Sequence, residues 1–533
     1  MDFTLLHLMA PELAALVALL VCLGYDYGAL RHEPAFVREP AALRICCSGL
    51  LTAVIASLIL LRVDRPDGTL FDGQIVATTY TLSLKALVYG GAIICLIFSR
   101  GAPRIQHISE YHALVVLAAI GVAVAVSTRN LLLIFLALEL TALCQYSLVG
   151  LDRTRSGVEA AFKYFTFGAT AGAFFLFGLS YLYGAVNLLS LSQMSPALAS
   201  VPLPSSLLTV AYLFVLAGLG FKLASAPFHY WVPETYRHAP TPVVAWIAGP
   251  SKLAALAVLI QILLPTLEYP LLKADWIAAL SCMAALSLVL GTVGALRQVE
   301  LKRLLAYSAV VHAGYTLIGV AGGTRESFAT AVFYSIVYVL ATMVAFGVVL
   351  LACERQGRPA TLDGLRGLAT RSPLLAALLL GAVATLAGIP PLPGFFGKYF
   401  LFASAIGGAT ALPPAWTWLP YVLVALALAA SAVSLYYYFL ILKAALVTED
   451  RAALPNAAAE VHGHDAFADD GHPDERGGTT AIRSALCLAR QDYETKRALP
   501  ELLALWVLAL LLAFTGLLPA PLLDLISQGL NEM

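Results

Sequence analysis

The feature that most constrains this chain is a series of long apolar runs, which together cover most of its 533 residues. Only 12% of the residues are charged and 60% are hydrophobic, whereas about 25% of a typical soluble domain is charged. Several soluble domains could not cover their surfaces with so few charges. The runs are close to the length of about 20 apolar residues that crosses a bilayer as a helix. The sequence therefore predicts an all-α polytopic membrane protein.

Fourteen runs are candidate membrane-spanning helices, and the positions of Lys and Arg agree with that count. The predicted spans are 10–30, 42–62, 78–99, 111–128, 130–150, 158–186, 206–230, 241–265, 274–296, 302–322, 327–353, 373–407, 416–446 and 500–527. The odd-numbered connections and their flanks carry 22 of the 32 basic residues, and the even-numbered connections carry five. Because basic residues concentrate in cytoplasmic connections, both termini are predicted to face the other side.

The spans group into five predicted regions. They are a three-helix segment (1–110), two five-helix units (111–265 and 274–446), a polar cytoplasmic loop (447–499) and a last transmembrane helix (500–533). The loop begins with acidic, Gly- and Pro-containing sequence that predicts disorder, and its later part predicts an amphipathic surface helix. The loop segment His462-Gly463-His464-Asp465 is interpreted as a flexible linker rather than a metal site. The eight cysteines form no CxxC pair, which argues against a zinc or iron–sulfur site.

Six ionisable residues inside the spans are the first candidates for function, since a lysine at the centre of a membrane helix costs about 2.5–3.5 kcal/mol. They are Glu139, Lys85, Lys163, Lys222, Lys252 and Lys398. A buried lysine can lose its proton, which an arginine effectively cannot. Glu139 and Lys252 lie near the bilayer centre and indicate either function or a permanent structural ion pair. Lys85 and Lys163 lie nearer the span ends, where a lysine can extend to water.

Two of these lysines lie beside predicted helix breaks. Pro227 follows Lys222 in span seven, and three prolines precede Lys398 in span twelve. Broken helices in a bilayer line cavities inside the protein. Because the two broken spans are five spans apart, spans 4–8 and 9–13 are predicted to be inverted five-helix repeats in which Lys222 corresponds to Lys398, and Glu139 to His312.

Histidines and aromatic residues complete the set of candidates. His229 beside the first break and His312 in span ten could relay protons, because imidazole titrates near neutral pH. The run Tyr436-Tyr437-Tyr438 covers all faces of a helix and is interpreted as packing.

Several segments resemble the antiporter-like subunits of respiratory complex I, the proton-pumping NADH:quinone oxidoreductase. They are Asn130 with Leu138-Glu139-Leu140, Glu159 to Phe165, Phe221 to Glu234, Ala239 to Val243, Leu301 to Ser308, His312 to Tyr315 and Gly388 to Phe395. The resemblance covers roughly residues 100–445. Within this family, Lys398 and the lack of a long lateral helix after span fourteen favour the N-type subunits.

The resemblance implies a proton path through this chain. It implies that Glu139 pairs with Lys222, that Lys252 is central and that Lys398 is terminal, with Lys163, His229 and His312 as candidate relays. It also implies that the chain binds no metal or cofactor of its own, that FMN, iron–sulfur clusters and quinone belong to other subunits, and that its partners are other membrane-arm subunits and the lipid bilayer, not nucleic acid. The expected location is the bacterial plasma membrane.

A mechanism follows from charge coupling. Burial disfavours a charged lysine and a nearby carboxylate favours it, so weakening the Glu139–Lys222 pair would pass a proton from Lys222 towards Lys252. Lys398 would then exchange protons with the far side. Three alternatives remain at this stage: a subunit of a multi-subunit cation/proton antiporter, a stand-alone transporter, and a structural subunit whose buried charges are permanently paired.

Overall fold

The computed structural model describes residues 8–63, 68–71, 73–100, 107–202, 205–412, 416–447 and 498–532. Within these ranges, 13 helical segments are long and apolar enough to cross a membrane. The remaining predicted span, 373–407, consists of two shorter helices. All fourteen predicted spans therefore contain helix, and the prediction of an all-α polytopic membrane protein is confirmed. The last predicted span, 500–527, differs in being two helices that meet at Leu518, where a proline begins the second helix.

The helix bounds agree with the predicted spans to within a few residues at most ends. The α-helices are α1 (Ala10–Gly28), α2 (Ala35–Val63), α3 (Thr79–Phe98), α4 (Ile108–Ser127), α5 (Leu131–Val149), α6 (Arg155–Val186), α7 (Met194–Leu198), α8 (Ser206–Leu223), α9 (Trp231–His238), α10 (Thr241–Ala248), α11 (Pro250–Leu263), α12 (Pro270–Leu296), α13 (Leu301–Ala321), α14 (Arg325–Ala352), α15 (Leu362–Leu365), α16 (Leu368–Arg371), α17 (Pro373–Ala387), α18 (Pro393–Gly407), α19 (Leu419–Leu446), α20 (Leu499–Leu517) and α21 (Pro519–Asn531). Two short strands, β1 (Gly68–Leu70) and β2 (Ile75–Ala77), pair antiparallel between α2 and α3.

Polar caps determine where several of these helices begin. The Asn130 side chain accepts hydrogen bonds from two backbone N–H groups in the first turn of α5. Thr154 caps α6, and Thr324 and Ser327 form a reciprocal capping box at the start of α14. Each cap satisfies N–H groups that have no partner within the helix, which matters most where lipid replaces water.

The two predicted helix breaks are present and have similar backbones. In span seven the helix α8 ends at Leu223, and α9 begins just beyond the predicted end of the span, at Trp231; span twelve is divided into α17 and α18. The first half of each ends at a residue in the left-handed conformation, Ala224 (φ +64°) or Gly388 (φ +83°), and a cis X–Pro peptide bond follows two residues later. Both breaks bring non-helical backbone to the interior beside a lysine.

A third break was not predicted. Span eight is divided into α10 and α11 at Gly249, and Pro250 is the first residue of α11. Proline fits the first turn of a helix, because the N–H that it lacks would have no partner there. Lys252 therefore lies in the first turn of a helix rather than in the middle of one.

The core of the molecule surrounds α14, in which every residue from Ser327 to Ala352 is buried. Almost all of α13 is buried as well, whereas most residues of α2 are exposed or half-buried. The line of candidate residues described below runs through this core. The predicted metal-site alternative at His462–Asp465 and the predicted surface helix at about 481–496 lie outside the described residues, and the division into five regions stays a prediction.

Candidate functional site

The first element of the site is an ion pair between Glu139 in α5 and Lys222 in the last turn of α8. The Lys222 Nζ lies 3.3 Å from Glu139 Oε1 and also donates to the Leu138 carbonyl at 3.4 Å. The two side chains are 14% and 23% exposed, respectively. The negative end of the helix dipole at the C-terminus of α8 favours a cation here. Both the carboxylate and the helix end therefore stabilise the charged form of Lys222.

Gly172 in α6 brings a neighbouring helix close to this pair. A Cβ atom at Gly172 would lie 2.9 Å from Glu139 Oε1, closer than real Cβ contacts. Glycine at this position therefore leaves room for the carboxylate. Nothing in the local pattern distinguishes Gly172 from the other glycines of α6, so the sequence alone did not identify it.

Lys252 has a different environment from Lys222. It is 7% exposed, and among the described residues its ammonium nitrogen has no hydrogen-bond partner. The nearest π faces are those of Tyr236 and Tyr338, whose ring centroids lie 5.8 Å from Nζ. Because the N-terminal end of a helix dipole is positive, the first turn of α11 disfavours a cation. This position favours the neutral form of Lys252.

A small cavity joins Lys252 to His312. Its volume is about 20 Å³, which is room for one water molecule. The hydroxyls of Thr316 and Ser335 are on its walls, together with Leu223, the residue after Lys222. A water there would have polar partners and would lie between the two titratable groups.

His312 is hydrogen-bonded at both ring nitrogens. Nδ1 lies 2.6 Å from the Tyr334 hydroxyl, and Nε2 lies 3.0 Å from the Tyr438 hydroxyl. The Tyr438 hydroxyl in turn lies 2.6 Å from Ser308 Oγ. A neutral imidazole has one donor and one acceptor nitrogen, so a proton that arrives at one can leave from the other. The interpretation of Tyr438 as packing is incomplete, because this residue is also a partner of His312.

Lys398 in α18 lies near Tyr315, an aromatic neighbour of His312. Its Nζ is 2.9 Å from both the Ala387 carbonyl and Ser431 Oγ. Ala387 is the last residue of α17, so the helix break supplies the carbonyl acceptor. Nζ is also 4.9 Å from the centroid of Tyr315, whose ring packs edge-on against His312.

A hydrogen-bonded chain connects α6 and α5, the helix of Glu139, with the residue before Lys252. The Tyr164 hydroxyl donates to Gln145 Oε1 at 2.9 Å, and Gln145 Nε2 donates to Ser251 Oγ at 2.7 Å. Gln145 lies on α5 with Glu139, and Ser251 precedes Lys252. Contacts between residues so distant in the chain left no local signal in the sequence.

On the expectation from its motifs that the chain pumps protons within a redox complex, replacing Gln145 with leucine should slow pumping about five-fold or more while electron transfer and assembly persist. The change leaves the hydroxyls of buried Tyr164 and half-buried Ser251 without this partner, at a cost of about 1–3 kcal/mol. It also removes the contact that holds the residue before Lys252 in place. The measurement is the initial rate of acidification in vesicles containing the assembled complex. Gln298→Leu, between α12 and α13, is the control, and equal rates in the two variants would contradict the role of Gln145.

Two predicted relay residues lie away from this line. Lys163 is 46% exposed and pairs at 2.7 Å with Glu159, one turn earlier on α6. His229 is buried, and its ring stacks on Tyr230 with centroids 4.7 Å apart. It is not among the residues that line the Lys252 cavity. Their relay roles stay predictions.

A second buried ion pair lies outside the two five-helix units. Lys85 Nζ in α3 is 2.7 Å from Glu12 Oε1 in α1, and the side chains are 1% and 6% exposed. The interpretation that Lys85 extends to water is therefore wrong. Glu12 was missed because an acidic residue in the first turn of a helix is ordinary.

Within the described ranges, no group of three or more His, Cys, Asp or Glu side chains is arranged to hold a metal ion. The seven cysteines in those ranges are free thiols.

Together, the broken helices and the line of buried ionisable groups define a polytopic membrane subunit of the antiporter-like class. The family model described as NADH:quinone oxidoreductase/Mrp antiporter matches residues 128–434. NADH-quinone oxidoreductase subunit N 2 of Acidobacterium capsulatum is 39% identical over 453 residues, which is 82% of this chain and 89% of that protein. The chain belongs to this family of NADH-quinone oxidoreductase N subunits, as the resemblance of its motifs predicted.

Solved structures agree with this assignment. A chain of respiratory complex I from Thermus thermophilus with bound aureothin is 32% identical, with a TM-score of 0.71 over 96% of this chain and 98% of that one. A chain of the Mrp complex from Dietzia sp. DQ12-45-1b has a TM-score of 0.76 over 98% and 97% of the two chains, but only 20% identity. The second likeness shows the fold alone.

Proposed function

We propose that this chain translocates protons as an N-type subunit in the membrane arm of a bacterial NADH:quinone oxidoreductase. The observation that carries the proposal is the line of buried groups from Glu139 and Lys222, through Lys252 and His312, to Lys398. A purely structural subunit would have no need of a buried lysine without a hydrogen-bond partner beside a cavity the size of a water molecule.

The contrast between Lys222 and Lys252 provides a direction for proton transfer. Lys222 is stabilised as a cation by Glu139 and by a helix C-terminus, whereas Lys252 lies at a helix N-terminus and has no counter-ion among the described residues. If Glu139 moves away from Lys222, burial then favours loss of the Lys222 proton. Lys252 accepts it only transiently, because its surroundings disfavour the charge.

From Lys252 the proton passes through the cavity to His312 and on to Lys398. A water in the cavity, beside Thr316 and Ser335, bridges the first gap. The imidazole then exchanges protons through the Tyr334 and Tyr438 hydroxyls, accepting at one nitrogen as it donates from the other. Lys398 is the terminal carrier, which exchanges its proton with the far side. Lys163 and His229 lie away from this route, and their relay roles stay predictions.

The redox chemistry belongs to other subunits. Because relatives of this chain are named as NADH-quinone oxidoreductase subunits, we propose that partner subunits carry FMN, iron–sulfur clusters and quinone. Other membrane-arm subunits would contact this chain within the lipid bilayer. We place the complex in the plasma membrane, with both termini of this subunit on the non-cytoplasmic side, as the distribution of basic residues indicates.

The second candidate function is that of a subunit in a cation/proton antiporter, which the fold of the Mrp complex favours. Sequence identity favours the redox complex, since it is 32% to the complex I chain and 20% to the Mrp chain.

Purification of the tagged subunit in mild detergent tests the proposal directly. The expected result is co-elution with further membrane subunits and with the visible absorption of flavin and iron–sulfur clusters. Co-elution with small membrane subunits and no chromophore would move the assignment to the antiporter. Elution of the chain alone would support a stand-alone transporter instead.

A further inference from the structure

An apolar groove opens between α2, α3, α14 and α20. Its volume is about 500 Å³, and every side chain that lines it among the described residues is apolar or glycine. Leu51 of α2, Gly90 and Ile97 of α3, and Leu503 of α20 form its walls. These helices lie in the membrane-spanning part of the chain, so hydrocarbon rather than water adjoins the groove.

The dimensions of the groove match one leaflet of a bilayer. Along α3 its wall extends from Ala86 to Ile97. At 1.5 Å per residue this length is about 17 Å. Half of the hydrocarbon core of a bilayer is about 15 Å thick. A single acyl chain lying parallel to α3 would therefore fill the groove from the headgroup level to the bilayer centre.

Positive charge lies at one end of the groove. Arg100 follows Ile97 by three residues, and Glu501 follows the lining residue Pro500. Glu501 accepts from Arg355 Nη2 at 3.1 Å and lies 3.9 Å from Arg100 Nη1. Two guanidinium groups thus share one carboxylate, which leaves a net positive charge, and the Arg100 side chain is 31% exposed.

We propose that this groove is a binding site for an anionic phospholipid, with one acyl chain between α3 and α20 and the phosphate beside Arg100. This end of the groove is the one that the basic residues predict to be cytoplasmic, where anionic headgroups attract Arg and Lys. The length of the groove selects an acyl chain, and the charge at its end selects the headgroup. A helix of a neighbouring subunit is the competing occupant.

The location of the groove gives the lipid a consequence for the proton path. Leu253 and Val339 line both the groove and the cavity beside Lys252. These two side chains separate the cavity from the membrane. An acyl chain bound in the groove would pack against them and keep the cavity closed to the membrane. This consequence rests on the proposed function, whereas binding of the lipid does not.

A larger side chain introduced at Gly90 can fill the groove without disturbing the fold. A Cβ atom at Gly90 would meet no heavy atom within 4 Å, and the same is true at Gly381 in α17, which is far from the groove in sequence and lines no part of it. The experiment adds dipalmitoyl phosphatidylglycerol to the delipidated, purified complex and counts the lipids retained by native mass spectrometry. Wild type and Gly381→Phe are expected to retain one lipid more than Gly90→Phe.

Arg100 tests the headgroup part of the proposal. Arg100→Gln is expected to weaken phosphatidylglycerol binding about five-fold, towards the level of phosphatidylcholine with the same chains, because one basic residue near a membrane surface contributes about that much. Arg62→Gln, in the last turn of α2, is the matched control and should bind as wild type does.

Equal lipid retention by wild type and Gly90→Phe, or equal binding of the two phospholipids to wild type, would overturn the proposal. If Gly90→Phe fails to assemble, Gly90→Cys replaces it: phosphatidylglycerol should protect this thiol from an apolar maleimide. Crosslinking of that cysteine to another subunit instead would show that protein occupies the groove. None of these readouts depends on pumping, so failure of the proposed function would leave them unaffected.

Discussion

Lys222→Ala is expected to abolish the proton pumping of this subunit in a complex that still assembles and oxidises NADH. The substitution removes the only ammonium group within 4 Å of the Glu139 carboxylate among the described residues, and with it the group that we propose to donate to Lys252. The measurement is the number of protons moved per electron in sealed vesicles. The ratio should fall by the share that this subunit contributes.

Arg237→Ala is the matched control for that experiment. Arg237 also pairs with a glutamate, Glu300, at 2.7 Å, but its side chain is 39% exposed and lies outside the proposed path. The ratio of protons to electrons should be unchanged in this variant. An unchanged ratio in an assembled Lys222→Ala complex would contradict the proposed path. If Lys252 and Lys398 variants impair only assembly and never pumping, the buried charges have a structural role instead.

The second large effect is expected at the buried pair of Glu12 and Lys85. Replacing Glu12 alone with leucine leaves the Lys85 ammonium buried without a counter-ion, which costs about 3–5 kcal/mol. The subunit should then be depleted from membranes, and the assembled complex should melt at a lower temperature in detergent. Both quantities can be measured on the purified complex and on membrane fractions.

Replacing both partners with leucine is expected to restore assembly, because removal of a whole buried ion pair is often neutral or stabilising. Arg366→Leu is the control for loss of one partner, since the Arg366–Asp363 pair is exposed and its loss should leave the melting temperature nearly unchanged. A double variant that assembles but no longer pumps would show that the Glu12–Lys85 pair transfers protons, contrary to this expectation.

The membrane helices could be predicted from the sequence because length and apolarity alone determine them. The breaks beside Lys222 and Lys398 were also predictable, since Pro227 follows the first lysine and three prolines precede the second within otherwise apolar runs. The break at Gly249 was not, because a single Gly-Pro pair leaves the apolar run almost continuous and proline is compatible with a first helical turn. For that reason the sequence did not predict that Lys252 lies at a helix N-terminus, where a positive charge is disfavoured.

The lysines of the candidate site could be recognised from the sequence, but most of their partners could not. A buried lysine is conspicuous in an apolar span, whereas tyrosine, serine and glutamine are ordinary in one. Tyr438, Gln145 and Ser251 join the site only through contacts between helices that are distant in the chain. Such contacts depend on packing, which a single sequence does not record.

The two hydrogen bonds of Lys398 suit a group that changes charge. Its charged form donates to both the Ala387 carbonyl and Ser431 Oγ, which are each 2.9 Å away. A neutral amine can still donate to the carbonyl, while the serine hydroxyl rotates and donates to the nitrogen lone pair. Rotation of one hydroxyl therefore keeps both bonds through a full proton cycle. The reorganisation energy at this carrier is accordingly small, and no helix has to move when its proton leaves.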